Sequence, residues 1–210
     1  MIRAIFFDGG GVISHFDEEL IITFEREQGL QRGDVLKALY TGREWIDAEM
    51  GVMDEDAWLQ ICARRLAGSA GPVSFGDLRD VWGRAFLKID QQVLALARAL
   101  STAFRVGLFT NSSSSRQRLE EKLARVDILD VWHVIVISSE EGVAKPDPRI
   151  YAIAAQRIGA EPTEWVHIDD KWENVVGARE AGFQAIHHTA NYAELVARLD
   201  DLGVPSANAK

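Results

Sequence analysis

Apolar residues are laid out in two rhythms along the chain. The first stretch, Ile2-Arg3-Ala4-Ile5-Phe6-Phe7-Asp8-Gly9-Gly10-Gly11-Val12-Ile13, is a nearly continuous apolar run ending in a lone carboxylate and three glycines. That pattern predicts a buried parallel strand that stops at a functional edge. From Phe16 to Ala85 the spacing turns helical, as in Leu20, Ile21 and Phe24, then Trp58, Leu59, Ile61, Cys62 and Leu66. Gly29, Gly33, Gly42, Gly51 and the Gly68-to-Ser74 stretch divide this segment into several helices, and it contains no convincing strand.

Strand and helix patterns then alternate. Short apolar runs predict strands at Arg105–Phe109, Val131–Ile137, Trp165–Ile168 and Gln184–His187. Between and around them lie helical patterns at Gln91–Ala103, Ser113–Val126, Pro148–Ile158, a segment ending at Gly182, and Tyr192–Leu202. Asp147 is placed to cap the third of these, with Pro148 in the first turn, where its missing N–H costs nothing. The fold class expected is α/β: a doubly wound, mostly parallel sheet formed by residues 1–14 and 87–205. A small all-helical domain, residues 15–86, interrupts it after the first strand. Residues 206–210 are read as a frayed polar tail.

Composition narrows the function. With 210 residues there is room for one α/β core and a modest insertion, and 47% hydrophobic with 26% charged residues is the balance of a globular protein. A net charge of −9 and a pI near 5.1 disfavour nonspecific nucleic-acid or anionic-membrane binding. The single cysteine, Cys62, lies among apolar residues and reads as a structural thiol in a reducing, cytoplasmic setting. No signal peptide is expected ahead of the first strand, and no apolar run is long enough to span a bilayer.

Candidate chemistry sits at the strand ends. Ligands of open α/β sheets collect beyond the carboxyl ends of the strands, and right-handed crossovers align those ends along one edge. That edge presents Asp8, Thr110 with Asn111, Lys145, and Asp169 with Asp170. Glycine-turn N–H groups at Gly9 and Gly10 form an anion-binding concavity, but an anion can rest beside Asp8 only if a cation is close. Crowded carboxylates need a divalent ion or a lysine between them, and an all-oxygen ligand set suits Mg²⁺. A carboxylate so placed can attack phosphorus in line, giving an aspartyl-phosphate that water hydrolyses. A dinucleotide fingerprint is a poor reading, because Ser14 stands where its third glycine belongs.

This set resembles the haloacid dehalogenase-like hydrolase superfamily, specifically its phosphatases with a helical cap inserted after the first strand. The matching pieces are Phe6-Phe7-Asp8-Gly9-Gly10-Gly11-Val12, Leu108-Phe109-Thr110-Asn111-Ser112, Lys145-Pro146-Asp147-Pro148-Arg149-Ile150-Tyr151, and His167-Ile168-Asp169-Asp170 with Asn174, Ala178 and Ala181-Gly182. Trp45 through Glu49, Gly51 and Trp58 match within the cap. The resemblance implies a Mg²⁺-dependent phosphomonoester hydrolase acting on a small soluble phosphate, with a sugar phosphate as first guess. By it Asp8 is the nucleophile and a metal ligand, Gly10 binds the metal through its carbonyl, and Asp169 and Asp170 hold Mg²⁺ with Asn174 in support. Thr110 and Asn111 bind the phosphoryl group, and Lys145 orients it.

One position departs from the pattern. Phosphatases of this family usually carry a second aspartate two residues after the nucleophile, as acid and base for the leaving group, and here that residue is Gly10. A positioned acid of that kind is worth ~10²–10⁴ in rate. His15 and Asp17 are weighed as replacements and read more readily as hinge residues. Two alternatives follow: a metal-independent 2-haloacid dehalogenase, which needs no such acid, and a catalytically impaired binding protein of the same fold. The Asp169-Asp170 pair argues against the first. A mutase needs the missing acid, and a receiver-like signalling domain has a permuted motif order and no cap. Ser113 to Ser115 read as polar groups of a helix start; Trp172 is either core or a rim of the pocket.

Overall fold

The computed structural model describes residues 1–70 and 73–205. Its centre is a five-stranded parallel sheet of β1 (Ala4–Phe7), β4 (Arg105–Thr110), β5 (Val134–Ile137), β6 (Trp165–Asp169) and β7 (Gln184–His187), in the order β5-β4-β1-β6-β7. The first strand in sequence is therefore the middle strand of the sheet. Its four residues are fully buried and alternate in direction. Ile5 and Phe7 join a core layer with Val106, Leu108, Val166 and Ile168, while Ala4 and Phe6 join the opposite layer with Phe109, Trp165 and Tyr151. A sheet buried on both faces explains why the strands read as continuous apolar runs. The first layer is closed by α6 (Gln91–Leu100), α7 (Arg116–Arg125) and α11 (Tyr192–Asp201), the second by α9 (Pro148–Ile158) and α10 (Trp172–Glu180).

Between β1 and β4 the described residues form five helices: α1 (Glu18–Glu27), α2 (Asp34–Tyr40), α3 (Glu44–Glu49), α4 (Glu55–Ala70) and α5 (Phe75–Arg84). They bury a separate cluster that includes Leu39, Trp58, Leu59, Cys62, Leu66 and Leu78. The break expected from Gly68 does not begin there, since α4 continues through Ala70; positions 71–72 and the tail at 206–210 lie outside the described residues.

The chain enters and leaves this helical segment through β2 (Ser14–His15) and β3 (Lys88–Ile89), an antiparallel pair that two-residue strands leave without any periodic signal. His15 Nε2 lies 3.2 Å from Asp90 Oδ2, and the Asp17 N–H donates to the Ala85 carbonyl at 2.8 Å. Asp17 also caps α1 through Leu20 N–H. Both residues thus tie the two crossings together.

Elsewhere the strand predicted over 131–137 pairs only from Val134, because Leu129–Val131 makes a 3₁₀ turn. The residues after it form a short helix, α8 (Ser138–Glu141). No helix among the described residues is long and apolar enough to cross a membrane.

Candidate active site

The carboxyl end of the central strand is where the predicted residues meet. Asp8 follows β1 directly, and its backbone N–H is fixed to the Ile168 carbonyl at 2.9 Å. One oxygen each of Asp8, Asp169 and Asp170 lies within 4.8 Å of the others. Lys145, its side chain fully buried, donates to Asp8 Oδ1 at 2.9 Å, to Asp169 Oδ2 at 2.6 Å and to the Phe109 carbonyl at 2.8 Å. The ammonium's three protons are all used. Asp8 Oδ2 accepts no hydrogen bond among the described residues.

Asp169 differs from its neighbours. Oδ1 accepts from the Lys171 N–H and Asn174 Nδ2, and Oδ2 from Lys145, His167 Nε2 and Asn174 Nδ2. Burial alone would raise its pKa; Lys145 and the His167 ring outweigh it and hold this carboxyl below the ordinary range. Burial, with Lys145 beside it, depresses His167, so the ring is neutral and its Nε2–H is the proton given to Asp169. Burial pushes the Asp8 carboxyl up to about 7 against the pull of Lys145, and Asp169 adds to the push. Asp170 is raised by burial and then by Asp169, and its Oδ1 is buried with no partner among the described residues.

The loop after Asp8 is shaped by that carboxylate. Gly11 has φ +82, and a Cβ there would stand 2.3 Å from Asp170 Cγ. Only a glycine lets the loop lie against Asp170 in this conformation. The Gly11 N–H is taken by the Ser14 carbonyl, and the Gly9 carbonyl accepts from Ile13 and Ser14. Gly9 packs on Thr110, whose Oγ1 would be 2.9 Å from an added Cβ.

The Asn111 side chain has a structural task. Its Oδ1 accepts from the Lys145 N–H and its Nδ2 donates to the Lys145 carbonyl, both at 2.9 Å. The amide side chain is spent on the peptide groups of Lys145, so it fixes the lysine. Trp172 is not a core residue, and it does not line the cavity that opens onto Gly9 and Thr110. It is 54% exposed, with its ring 5.5 Å from the His187 ring.

The cluster's chemistry fits a hard divalent cation. Three carboxylates crowd one ammonium, the carboxyls of Asp8 and Asp170 are pushed up by burial for want of further positive charge, every donor is oxygen, and Asp170 Oδ1 lacks a partner among the described residues.

Sequence reasoning gave no role to the helical segment's grip on the sheet layer. Glu55, at the start of α4 and 5% exposed, accepts from Ser113 Oγ, Ser114 Oγ and Arg118, each at 3.0 Å, with Lys122 3.8 Å away. Asp56 pairs with the same Arg118. Ser138 Oγ donates to the Glu49 carbonyl at 2.6 Å. The serine run after β4 is therefore a docking surface as well as a helix start, since Ser115 caps α7. A run of small hydroxyls beside a buried acid on another element is a weak signal in sequence.

Fold and cluster together define an α/β protein with a doubly wound sheet and an acidic site at the strand ends. The sequence pattern of the haloacid dehalogenase-like hydrolases matches residues 2–182, and the chain belongs to that family. It is 30% identical over 199 residues to a phosphatase of Mycobacterium tuberculosis, covering 88% of this chain and 86% of that one. It is 34% identical over 120 residues to the glyceraldehyde 3-phosphate phosphatase of Methanopyrus kandleri, and there the match spans about half of each chain, 56% and 51%. Among solved structures, a HAD family enzyme of Bacteroides thetaiotaomicron in complex with magnesium and inorganic phosphate superposes with a TM-score of 0.75 at 20% identity, over 91% of this chain and 96% of that one. The L-2-haloacid dehalogenase of Xanthobacter autotrophicus shares the fold as well, with a TM-score of 0.67 at 20% identity, over 96% of this chain and 83% of that one.

Proposed function

We propose that this chain is a Mg²⁺-dependent phosphomonoesterase that works through an aspartyl-phosphate on Asp8. The observation that carries the reading is the buried meeting of three carboxylates with a single lysine at the end of the central strand. Mg²⁺ would be held by Asp8, Asp170 and the Gly10 carbonyl, where it supplies positive charge for the phosphoryl oxygens. Asp169 is assigned as a positioning residue, because both its oxygens are already committed to protein donors.

In the proposed reaction Asp8 Oδ2 attacks phosphorus, the ester P–O bond breaks, and the alcohol leaves with a proton from solvent. Water then attacks phosphorus, freeing phosphate and restoring the carboxylate. Lys145 holds Asp8 in place and carries a buried positive charge toward the phosphoryl group. Asn111 clamps the lysine's backbone, and the Thr110 hydroxyl and Gly9 backbone lie where phosphoryl oxygens would rest. The helices from Glu18 to Arg84, within the domain assigned to residues 15–86, act as a cap that excludes bulk water.

The test is hydrolysis of a panel of phosphate esters with and without Mg²⁺, on wild type and Asp8→Asn. Turnover lost on chelation and in Asp8→Asn supports the reading. Metal-independent halide release from a 2-haloacid replaces it with dehalogenation, and metal binding with no turnover of any substrate replaces it with a binding role.

A further inference from the structure

Beside the phosphoryl site lies a cavity of about 160 Å³ that opens onto Gly9, Gly10, Thr110 and Asn111 and runs between the helical segment and α7. Its walls are dominated by apolar side chains from both sides, among them Tyr40, Trp45, Trp58, Trp82, Phe86 and Leu119. The polar wall groups are largely occupied with one another: Ser113 and Ser114 bond to Glu55, Lys122 donates to Ser114 Oγ at 2.8 Å, and Ser14 Oγ donates to the Gly9 carbonyl. Glu49 is a charged wall residue without an ion pair among the described residues. A polyhydroxylated leaving group would lose its water here and meet rings and methyl groups in return.

The second observation concerns the missing acid. A Cβ built on Gly10 would sit 3.7 Å from the Phe86 ring, so an aromatic edge occupies the ground beside that position. Phe86 is packed on Phe16 and Trp82 at ring separations of 5.4 Å. The leaving group is met by hydrocarbon where a proton donor would otherwise stand. A phenol, with a pKa of ~10, departs as its anion far more readily than an alkyl or sugar alcohol, whose hydroxyl is closer to water's ~15.7.

We propose that the substrate is an aryl phosphate, the phosphate ester of an uncharged single-ring phenol whose ring lodges in this cavity. The assignment rests on the phosphatase reading and deepens it. Size and chemistry agree, since apolar cavities of ~150 Å³ are known to take up benzene. A carboxylate on the ring would be crowded against the Glu49 carboxyl, which keeps the preference to neutral rings.

The experiment has a binding arm and a turnover arm, both with Mg²⁺ present. Calorimetry compares phenylphosphonate with methylphosphonate, in which a methyl group stands in place of the ring. Phenylphosphonate is expected to bind about 30-fold tighter, the worth of burying one ring. Leu119→Trp, which fills the cavity, brings that ratio down to a few-fold; Leu119→Gln, polar and similar in volume, does the same if the tryptophan variant does not fold. Turnover is compared on phenyl phosphate, benzyl phosphate and glycerol 3-phosphate. Phenyl phosphate is expected to lead in kcat/KM by at least 100-fold over glycerol 3-phosphate, with benzyl phosphate sharing its low KM but not its kcat. Equal phosphonate affinities, or glycerol 3-phosphate turned over as efficiently as the ring esters, overturn the substrate class and leave the phosphatase reading standing. Tight phenylphosphonate binding with no ester turned over sinks the phosphatase reading, and the substrate class with it.

Discussion

Lys145 Nζ lies 2.6 Å from Asp169 Oδ2, and both side chains are fully buried. The lysine also reaches Asp8 at 2.9 Å, so one ammonium joins the proposed nucleophile to the residue that anchors it. Replacing Lys145 with Met leaves two facing carboxylates with no charge between them, and breaking a buried pair in that way costs about 3–5 kcal/mol. A divalent ion offsets part of this loss. The expected outcome is a melting temperature lowered more in EDTA than in Mg²⁺, with turnover reduced at least ~10³-fold. A loss of stability that Mg²⁺ does not touch would show that no ion sits among these carboxylates.

The two neighbouring aspartates should separate cleanly. Both oxygens of Asp169 are taken by protein donors, Lys145 among them, and Asp170 has a buried oxygen without a partner among the described residues, so on the proposed reading Asp169→Asn is expected to lower kcat by ~10–100-fold with little change in Mg²⁺ affinity. Asp170→Asn should weaken Mg²⁺ by at least tenfold. Titration of each variant with Mg²⁺ by calorimetry, paired with kcat, reads the difference. The reverse pattern would return Asp169 to the ligand set.

Much of this was legible in the chain and some was not. The strands could be located from apolar runs whose two-faced burial leaves a plain signature, though not their order in the sheet, and the Pro148–Ile158 helix with its Asp147 cap is found at the predicted positions. Asp8, Lys145, Asp169 and Asp170 could be gathered because strand ends share an edge. What Asn111 bonds to could not be read, since the Lys145 peptide lies 34 residues away and only the folded loop brings them together. The same holds for Glu55, whose serine partners are 58 and 59 residues distant, and for Phe86 beside Gly10. Periodicity reports which face is buried; it carries no information on which loop from another element arrives there.

Glu55 predicts an acid-sensitive attachment of the helical segment. Burial would raise its pKa, but Lys122 and Arg118 outweigh that and lower it. A carboxyl whose folded value lies below its unfolded value, about 4.3, contributes stability that is fully present above that pH and lost as pH falls through the folded value. Glu55→Gln should cost about 1–3 kcal/mol at pH 7, from the loss of hydrogen bonds to a charged group. Melting temperatures of wild type and variant are then expected to converge as pH drops below about 4. A gap that stays constant from pH 7 to pH 3 would remove the ionised carboxylate from the account.

Gly107 tests the packing under the site. A Cβ there would stand 2.2 Å from Phe6 Cε1, and the Phe6 ring is wedged between Phe109 and Trp165 with centroids 5.5 and 5.1 Å away. Gly107→Ala therefore forces the Phe6 ring against its neighbours, overpacking at a cost of about 1–3 kcal/mol. A melting temperature lower by about 2–12 °C is expected for a chain of this size. No change would mean that the ring can shift without loss.

Gly10→Asp asks whether the missing acid can be restored. The backbone at Gly10 is not in the left-handed region and the Phe86 ring stands at ordinary contact distance from a new Cβ, so the substitution is sterically admissible. The carboxylate itself must pass the ring edge to reach the leaving oxygen, and an apolar neighbour raises its pKa toward the range an acid needs. The variant should speed hydrolysis of benzyl phosphate, with its poor leaving group, by ~10–100-fold, while phenyl phosphate changes little because its oxygen departs without a proton. Pairing it with Phe86→Ser relieves the crowding and should carry the gain further. The measurement is log kcat/KM against leaving-group pKa: a flatter slope in Gly10→Asp is the expected result. An unchanged slope would show that proton supply at residue 10 does not limit this enzyme.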